Sequence, residues 1–330
     1  MKIKIFIFSL VTGALLFHSC KGTDTPKDDF DYAGQALIDD DKINEFLETH
    51  FYTPPTGNEN FGVIDTILNG ETPIKNIAEV KEVEFNKVDY KLYFVKALPE
   101  GSGESPSILD KVFVKYQGIT LDAEKKVFDE VAVNYTWFDL SDPSLRRGWT
   151  YGLPNFKAAS NIISGVDQPI EFDQPGRGVL FIPSGLAYSN LGYGSIPPNT
   201  PLIFHIKLGF IDRDDSDLDG IYSIYEDLNG DNDFVNDDTD GDKRPNYADD
   251  DDDNDGLKTK YETADPNEDH NPDDALDTDN DGVPNFLDND DDGDGIITAL
   301  EEADPNHDGN PDDAVDSDGD QIPDYLDPTN

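Results

Sequence analysis

The spacing of apolar positions near the start of the chain predicts one helix. In ALIDDDKINEFLETHF (residues 36–51) the side chains of Ile43, Phe46 and Leu47 recur at helical spacing. Asp39–Asp41 lie near the amino-terminal end of this segment, where negative charge suits the helix dipole. We expect a short helix that packs on the domain that follows or lies in a linker.

From about Val88 the apolar period shortens to two, which predicts strands. The strand signals are VDYKLYFVKAL, DKVFVKYQG, RGVLFIPS (177–184) and TPLIFHIKLGFI (200–211). The segment GWTYGLPNF, between the second and third of them, is the one predicted helix of this block. Mostly antiparallel strands with one short helix predict an α+β domain of roughly a hundred or more residues.

Charge separates this block from the rest of the chain. From Ile211 onward there are 44 Asp and Glu against five Lys and Arg, a net of -39, while the first 210 residues carry 28 against 19, a net of -9. A segment with this much negative charge repels nucleic acid and anionic membrane surfaces. We therefore expect no nucleic-acid partner. It favours cations as ligands.

The amino terminus, MKIKIFIFSLVTGALLFHSC, has the pattern of a secretion signal. Two lysines precede the apolar run Ile5–Phe17, which is too short to span a bilayer. Cys20 is the only cysteine of the chain, so it has no intramolecular disulfide partner. The arrangement resembles a bacterial lipoprotein signal (residues 1–20), which implies a lipidated Cys20, a membrane anchor and a place in the cell envelope. The alternative is ordinary signal cleavage with an incidental cysteine.

The order of motifs in the strand-rich block resembles the FKBP family of prolyl isomerases. The matching segments are VKYQG (114–118), VFDE (127–130), RRGWTYGL (146–153), IPSGLAY (182–188) and GSIPPNTPLIFHIKL (194–208). The resemblance implies peptidyl-prolyl cis-trans isomerase activity on proline-containing polypeptides, with no catalytic cofactor, and an antiparallel sheet wrapped around a short helix. Taken singly, each aromatic residue of the block is equally compatible with a core position.

Carried over position by position, the resemblance also implies a substrate pocket. Trp149 is its expected floor, and Tyr188 and the backbone N–H of Arg146 are the expected donors to peptide carbonyls. Asp129 is expected to contribute electrostatically or to pair with a nearby Arg or Tyr. The expected pocket residues are Tyr116, Phe128, Asp129, Phe138, Leu145, Arg146, Trp149, Tyr188, Ile196 and Phe204.

Two features depart from the family pattern. An insertion around Ala158–Asp173 lies beside a loop that frames the expected pocket. The position at which the family usually has another pocket aromatic falls near Tyr135–Thr136, and no residue is assigned to it. Both concern substrate preference more than fold.

The acidic third contains three complete matches to the calcium-loop template D-x-[DN]-x-[DN]-G-x5-E. We call these the Glu-ending loops. In each, carboxylates at positions 1, 3, 5 and 12 and the backbone carbonyl at position 7 are the expected ligands. They are Asp215, Asp217, Asp219, Ile221 and Glu226; Asp251, Asp253, Asp255, Leu257 and Glu262; and Asp290, Asp292, Asp294, Ile296 and Glu301.

A second loop type, the Asp-ending loops, alternates with the first and has Pro at position 8 and Asp at position 12. Its expected ligands are Asp238, Asp240, Asp242 and Asp249; Asp277, Asp279, Asp281 and Asp288; and Asp316, Asp318, Asp320 and Asp327. Corresponding positions recur at an offset of 39 residues, so the region is an internal repeat.

Hard oxygen ligands without His or Cys favour Ca²⁺. The array resembles thrombospondin type 3 repeats without their cysteines, which implies that calcium does more of the stabilising. Without calcium, a segment of such charge is expected to be expanded. The alternative is an acidic tail that only solvates the protein.

Together these patterns predict a lipoprotein signal (1–20), a tether with a helical extension (21–84), an FKBP-type domain (85–212) and an elongated, mostly irregular array of acidic calcium loops (213–330). Three functions are compatible with them: a lipid-anchored prolyl isomerase with a calcium-stabilised stalk, a non-catalytic surface-binding or adhesion protein with an FKBP-like domain, or a protein whose function lies in the calcium array alone.

Overall fold

The period-two segments form one six-stranded antiparallel sheet in the computed structural model, which describes residues 29–329 except 58, 123–124 and 165–167. Its strands are β3 (Glu79–Phe85), β4 (Val88–Lys96), β5 (Lys111–Thr120), β6 (Val127–Asp139), β9 (Gly176–Ile182) and β10 (Leu202–Asp212). Their order across the sheet is β3-β4-β9-β10-β5-β6. The four predicted strands are all present, and β3 and β6 are additions that the sequence pattern did not predict.

One face of the sheet packs on α2 (Arg147–Gly152), which a 3-10 turn over Leu153–Asn155 extends, in agreement with the predicted helix. Trp149 and Leu153 of this segment are buried in the main core against sheet residues such as Leu180. A β carbon added to Gly148 would lie 2.3 Å from Ile182 Cγ2, so the helix approaches the sheet at its glycines. This layer supports the candidate pocket.

The other face is covered by α1 (Tyr32–Thr49), the predicted helix. Ile43 and Leu47 are fully buried in a second core cluster with Val179 and Phe181 of β9. A hairpin of β1 (His50–Thr53) and β2 (Val63–Thr66) follows the helix. The segment before residue 85 is therefore a layer of the domain, and the sheet begins at Glu79, earlier than the predicted boundary.

The insertion also lies on the face opposite α2. Its described ends form a short hairpin of β7 (Asn161–Ile162) and β8 (Phe172–Asp173). Glu171 accepts hydrogen bonds from the buried ammonium groups of Lys115 (2.7 Å) and Lys207 (2.9 Å). These lysines alternate along β5 and β10 with residues of the pocket face, so the described part of the insertion is anchored away from the pocket.

The acidic third contains neither an α-helix nor a strand among its described residues, 213–329. It consists of loops punctuated by eight single 3-10 turns and by two small apolar clusters. The clusters are repeats of one another, since Ala264 and Phe286 in one correspond to Ala303 and Tyr325 in the other, 39 residues later. Within the described part of the chain, no helix is both long and apolar enough to cross a membrane.

The first acidic loop is attached to the sheet domain by an ion pair. The Arg213 guanidinium, at the end of β10, donates to Asp110 Oδ2 (2.6 Å) and to Glu104 Oε2 (2.5 Å). The backbone N–H of Asp214 donates to the other Asp110 oxygen at 3.1 Å. Asp110 is fully enclosed, so this junction fixes where the acidic array leaves the sheet.

Candidate functional site

Five aromatic rings from different elements meet on the α2 face of the sheet. Trp149 lies at their centre, with ring centroids 4.9 Å from Phe138, 5.0 Å from Tyr116 and 5.2 Å from Phe204. Phe128 joins through an edge-to-face contact with Phe204 at 5.6 Å. Four of these contacts are edge-to-face or tilted, arrangements favoured by the ring quadrupoles, so the cluster is rigid.

A hydrogen bond connects these rings to a charged group. The Tyr116 hydroxyl donates to Asp129 Oδ2 at 2.7 Å. Of the two partners expected for this carboxylate, an arginine or a tyrosine, the structure thus shows the tyrosine. Burial and this carboxylate contact raise the pKa of Tyr116 well above its ordinary value. The phenol therefore stays protonated at physiological pH and holds Asp129 beside the rings.

Tyr188 and Arg146, the residues that carry the two expected donors, lie at the rim of the cluster. The Arg146 guanidinium stacks over the Tyr188 ring at 4.7 Å, and Tyr193 stacks on the same ring at 5.1 Å. Burial raises the pKa of the Tyr188 phenol, so its hydroxyl is available as a donor. The half-buried ring is thus fixed between a cation and a second phenol.

The backbone that carries Tyr188 is anchored from α1. Asp39, fully buried, accepts hydrogen bonds from the Ser184 N–H (2.7 Å) and the Ser184 hydroxyl (2.5 Å). Ser184 opens the 3-10 turn that leads into Tyr188. The amino-terminal helix thereby positions a pocket loop, a connection that no local sequence pattern indicates.

The remaining expected pocket residues surround the rings. Ile196 is buried in the same core cluster and pairs with Tyr193 through two backbone hydrogen bonds, and Leu145 is half-buried against that cluster. Gly118, which the sequence analysis did not single out, is also required: an added β carbon would lie 2.5 Å from Phe128 Cζ and 2.9 Å from Phe204 Cε1. The signal that could have identified Gly118 is its position in VKYQG (114–118), one of the segments that resemble the family.

Tyr135 does not line the pocket, so it is not the further pocket aromatic that the sequence left unassigned near Tyr135–Thr136. It is buried on the opposite face with Phe172 of the insertion, at a centroid distance of 5.0 Å. The pairing of β5 with β6 shifts register between Val114 and Tyr116. Such a bulge redirects side chains, and the sequence pattern does not reveal where it falls.

The Glu-ending loops adopt the turn that their template requires. At position 6, Gly220, Gly256 and Gly295 all have φ near +100°, a conformation that favours glycine. At position 5, each Asp accepts the backbone N–H of position 7 at 2.7 Å, as Asp255 does from Leu257. This leaves the other carboxylate oxygens free to point inward.

Those inward oxygens form buried acidic clusters with the properties of a cation site. Ligand atoms of Asp253, Asp255 and Glu262 lie within 4.8 Å of one another, and so do those of Asp215, Asp217 and Asp219. Both Glu262 oxygens are buried without a hydrogen-bond partner among the described residues. Burial and the neighbouring carboxylates raise the pKa of Asp253 to about 9. A bound cation would offset this desolvated charge, so the donors fit calcium.

The third Glu-ending loop shares these features in part. Asp290 Oδ1 and Asp292 Oδ2 are buried without a partner in the described structure. Asp294 accepts the Ile296 N–H, and Glu301 is buried.

The Asp-ending loops are more exposed. Asp238, Asp240 and Asp242 converge within 4.8 Å, as do Asp277, Asp279 and Asp281. Asp288 lies close enough to Asp279 and Asp281 for their charges to raise its pKa, after the larger effect of burial. In the last loop, Asp316, Asp318 and Asp320 accept backbone N–H groups within the loop, and Asp327 accepts from Thr329.

One of these loops carries its own cation. Arg244, at position 7 of the loop 238–249, pairs with Asp249 at 2.8 Å. The corresponding positions of the other two Asp-ending loops hold Val283 and Ile322. Asp249 is therefore a weaker candidate ligand than the template suggests. Cys20, the expected lipidation site, lies outside the described residues.

Sequence comparison places two family matches on the chain. Residues 102–209 match FKBP-type peptidyl-prolyl cis-trans isomerase, and residues 216–272 match the family described as BamM C-terminal. The first match contains every expected pocket residue, and the second covers the first two Glu-ending loops except for Asp215.

Among curated proteins, the FKBP-type peptidyl-prolyl cis-trans isomerase FkpA of Escherichia coli is 26% identical over 180 residues, which cover 54% of this chain and 59% of FkpA. FK506-binding protein 4 of Dictyostelium discoideum is 34% identical over 109 residues, covering 33% of this chain and 25% of that protein. The chain thus spans little more than half the length of FkpA and a quarter of the other relative.

Solved structures similar to this chain include a peptidyl-prolyl cis-trans isomerase from Pseudomonas syringae, at 22% identity and a TM-score of 0.33, covering 58% of this chain and 100% of that one. FkpA from Escherichia coli matches at 31% identity and a TM-score of 0.29, covering 37% and 48%. The family match and the FkpA relationship together support an FKBP-type peptidyl-prolyl cis-trans isomerase domain over residues 102–209.

Proposed function

We propose that this protein is a peptidyl-prolyl cis-trans isomerase that acts on X–Pro bonds of secreted or surface proteins. The observation that carries the proposal is the rigid aromatic cluster around Trp149, bordered by Tyr188 and by the Tyr116–Asp129 pair. A proline ring fits such an apolar floor, while the donors at the rim suit the carbonyls that flank it.

The chemistry requires no nucleophile or metal from the protein. Rotation about an X–Pro bond crosses a barrier of about 18–20 kcal/mol, and trans is favoured by only about 0.5–1 kcal/mol. At the twisted state the amide loses its conjugation and its carbonyl loses charge separation. An apolar pocket therefore binds the twisted amide better than the planar one, and this difference lowers the barrier.

Within this mechanism the residues have separate tasks. The Trp149 floor excludes water from the rotating bond, and the Tyr188 hydroxyl and the Arg146 N–H hold peptide carbonyls on either side. Asp129, already engaged by Tyr116, contributes electrostatically. The catalytic power comes from fixed donors and an apolar surface.

The second candidate function is binding without turnover, in which the same pocket only grips proline-containing segments. The two are separated by measuring isomerisation and peptide binding on the same full-length protein. We predict that Tyr188→Phe lowers kcat/KM about threefold to tenfold, since one donor of about 1 kcal/mol is lost, and that Trp149→Leu lowers it further.

The chain offers a matched control in its only other tryptophan. Trp137 is 47% exposed and stacks on Phe113, so Trp137→Leu is expected to leave turnover unchanged. A wild-type protein that binds a proline peptide without accelerating its isomerisation would favour the binding function.

We also propose that calcium binds the acidic loops and stiffens the region from 213 onward as a spacer. The buried, partnerless carboxylate oxygens support a cation, and oxygen-only donors suit calcium. A third candidate function, an adhesive array that uses calcium to create a binding face, rests on the same loops. The spacer is favoured because the donor oxygens point inward.

Finally, we propose that lipid on Cys20 anchors the secreted protein in the cell envelope, on the periplasmic or surface face of the outer membrane. The basic residues, short apolar run and cysteine of the amino terminus support this proposal. Mass spectrometry of the mature protein tests it, since acyl chains on Cys20 are expected and an unmodified amino terminus elsewhere would contradict it.

A further inference from the structure

Position 2 of the Glu-ending loops shows a difference that the calcium template does not explain. The template assigns no ligand there. The second and third loops nevertheless carry Asp252 and Asp291 at this position, whereas the first loop carries Ser216. The two loops with an acidic residue are the two that have another Glu-ending loop before them.

In space, the Asp291 carboxylate belongs to the preceding loop. One of its oxygens lies within 4.8 Å of ligand atoms of Asp253, Asp255 and Glu262, all four residues being buried. Asp291 is only 2% exposed, and its Oδ1 atom has no hydrogen-bond partner among the described residues. Its Oδ2 atom accepts from the Asn285 amide at 3.0 Å. One oxygen is thus held by the protein, and the other is buried beside the cluster without a hydrogen bond among the described residues.

Asp252 repeats this arrangement one loop earlier. Its carboxylate lies within 4.8 Å of ligand atoms of Asp219 and Glu226 in the first loop. Asp252 and Glu226 are each 2% exposed, and none of their four carboxylate oxygens has a hydrogen-bond partner in the described part of the structure. Two residues 39 positions apart therefore make the same contact with a preceding loop.

Basic side chains do not neutralise these carboxylates. Within the described residues, Asp252, Asp291 and Glu262 form no ion pair with Lys or Arg. Lys258, the base closest to Asp252 along the chain, pairs with Asp250 at 2.5 Å instead. Buried carboxylates at this density need a cation from solution.

The backbone fixes position 2 in place. The Asp252 N–H donates to the Thr259 hydroxyl at 3.4 Å and the Asp291 N–H to the Thr298 hydroxyl at 3.2 Å, both threonines being fully buried. In the first loop the Ser216 N–H makes the same bond to Ser223. The scaffold of position 2 is thus common to all three loops, and only the carboxylate depends on a preceding loop.

We propose that Asp252 and Asp291 are calcium ligands in trans, each completing the ion site of the Glu-ending loop before its own. This inference rests on the proposed calcium binding and deepens it. Each buried ion then joins two loops that are distant in sequence, so that calcium ties the array together from loop to loop. The Ser216 of the first loop has no preceding site to complete.

Calcium titration of the full-length protein by calorimetry tests the proposal. Asp291→Ala and Asp252→Ala are each expected to weaken one class of bound ion at least about tenfold, because each removes a charged ligand. Ser216→Ala is the matched control at the same loop position and is expected to bind as the wild type does. Asp312→Asn, an exposed residue outside the loops, controls for net charge.

A second readout separates ligation from a merely structural role. Terbium bound in place of calcium reports its coordinated water through luminescence lifetimes in H₂O and D₂O, and Asp291→Ala is expected to add about one water to one ion. Asp291→Asn, which keeps the shape of the side chain, serves if the alanine variant does not fold, and weaker calcium binding is again expected.

The outcomes distinguish this inference from the proposed function. If the wild type binds calcium and both aspartate variants match Ser216→Ala in affinity and hydration, the trans ligands are refuted while calcium binding stands. A wild type that binds no calcium at millimolar concentration overturns both.

Discussion

His205 is a residue whose environment makes the stability of the fold depend on pH. It lies on β10, on the face opposite the pocket, only 3% exposed and near the Tyr52 ring, and its Nδ1 atom has no hydrogen-bond partner among the described residues. Burial lowers its pKa from 6.5 to about 4. The folded protein thus keeps this imidazole neutral at a pH where the unfolded chain takes up a proton.

The sign of the effect follows from linkage. Above pH 6.5 the group is neutral in both states, so its contribution to stability is complete; it is lost as the pH falls toward 4. We predict a loss of about 3 kcal/mol across this window, which His205→Phe is expected to remove. Unfolding by denaturant at pH 7 and pH 4 with constant calcium measures the difference, with the exposed His307→Gln as control. Equal pH dependence in His205→Phe and wild type would contradict the prediction.

At the residue scale, the sequence predicted the ring cluster because its motifs follow the order of a known family, and members of a family share side-chain contacts. Trp149, Tyr116 and Phe204 meet as expected. The position near Tyr135 that the sequence left unassigned lies next to a register shift of β6, and the anchoring of Ser184 by Asp39 spans 145 residues. Neither a register shift nor a long-range hydrogen bond leaves a local pattern in the sequence.

At the scale of elements, α1 is the part whose role changed most. Its spacing predicted the helix, but a periodic pattern does not specify the surface on which a helix packs. The structure places it across β4 and β9, where it covers one face of the sheet. Strand β6 was not predicted because its burial does not alternate cleanly, as its mixed exposure shows.

This packing predicts that α1 is required for the stability of the sheet domain. Leu47→Ala, at a fully buried position, is expected to lower the free energy of unfolding by about 2–5 kcal/mol through lost burial and a residual cavity. Leu37→Ala on the same helix, at a position 70% exposed, is expected to change it by less than about 0.5 kcal/mol. Denaturant unfolding measures both, and equal effects of the two variants would show that the helix does not pack as described.

At the scale of the whole molecule, two regions are stabilised by different physics. Among its described residues, the sheet domain has a large apolar core on each face and a third, smaller cluster around Tyr135. The acidic region has only two small clusters, of three buried residues each, and many buried carboxylates. The sequence predicted this division from charge and from the 39-residue repeat. It did not predict how each loop packs on a later segment, because contacts such as the hydrogen bond from the Lys258 N–H to the Gly309 carbonyl join residues distant in sequence.

Calcium removal is therefore expected to affect the two regions unequally. On chelation at neutral pH, repulsion among carboxylates should expand residues 213–330 and increase the radius of gyration, reversibly on return to millimolar calcium. Both tryptophans lie in the sheet domain, so their fluorescence is expected to change little. Small-angle scattering measures the expansion, with magnesium at equal ionic strength as control. A radius of gyration that is the same with and without calcium would contradict the proposed stiffening.

The central claim is that the ring cluster around Trp149 catalyses prolyl isomerisation. Its most direct test is the rate of cis-to-trans conversion of an X–Pro peptide, measured by magnetisation exchange with catalytic amounts of the full-length protein, with and without calcium. We predict acceleration proportional to protein concentration, greatly reduced in Trp149→Leu and retained in Trp137→Leu. An uncatalysed rate in the presence of folded wild-type protein would contradict the account.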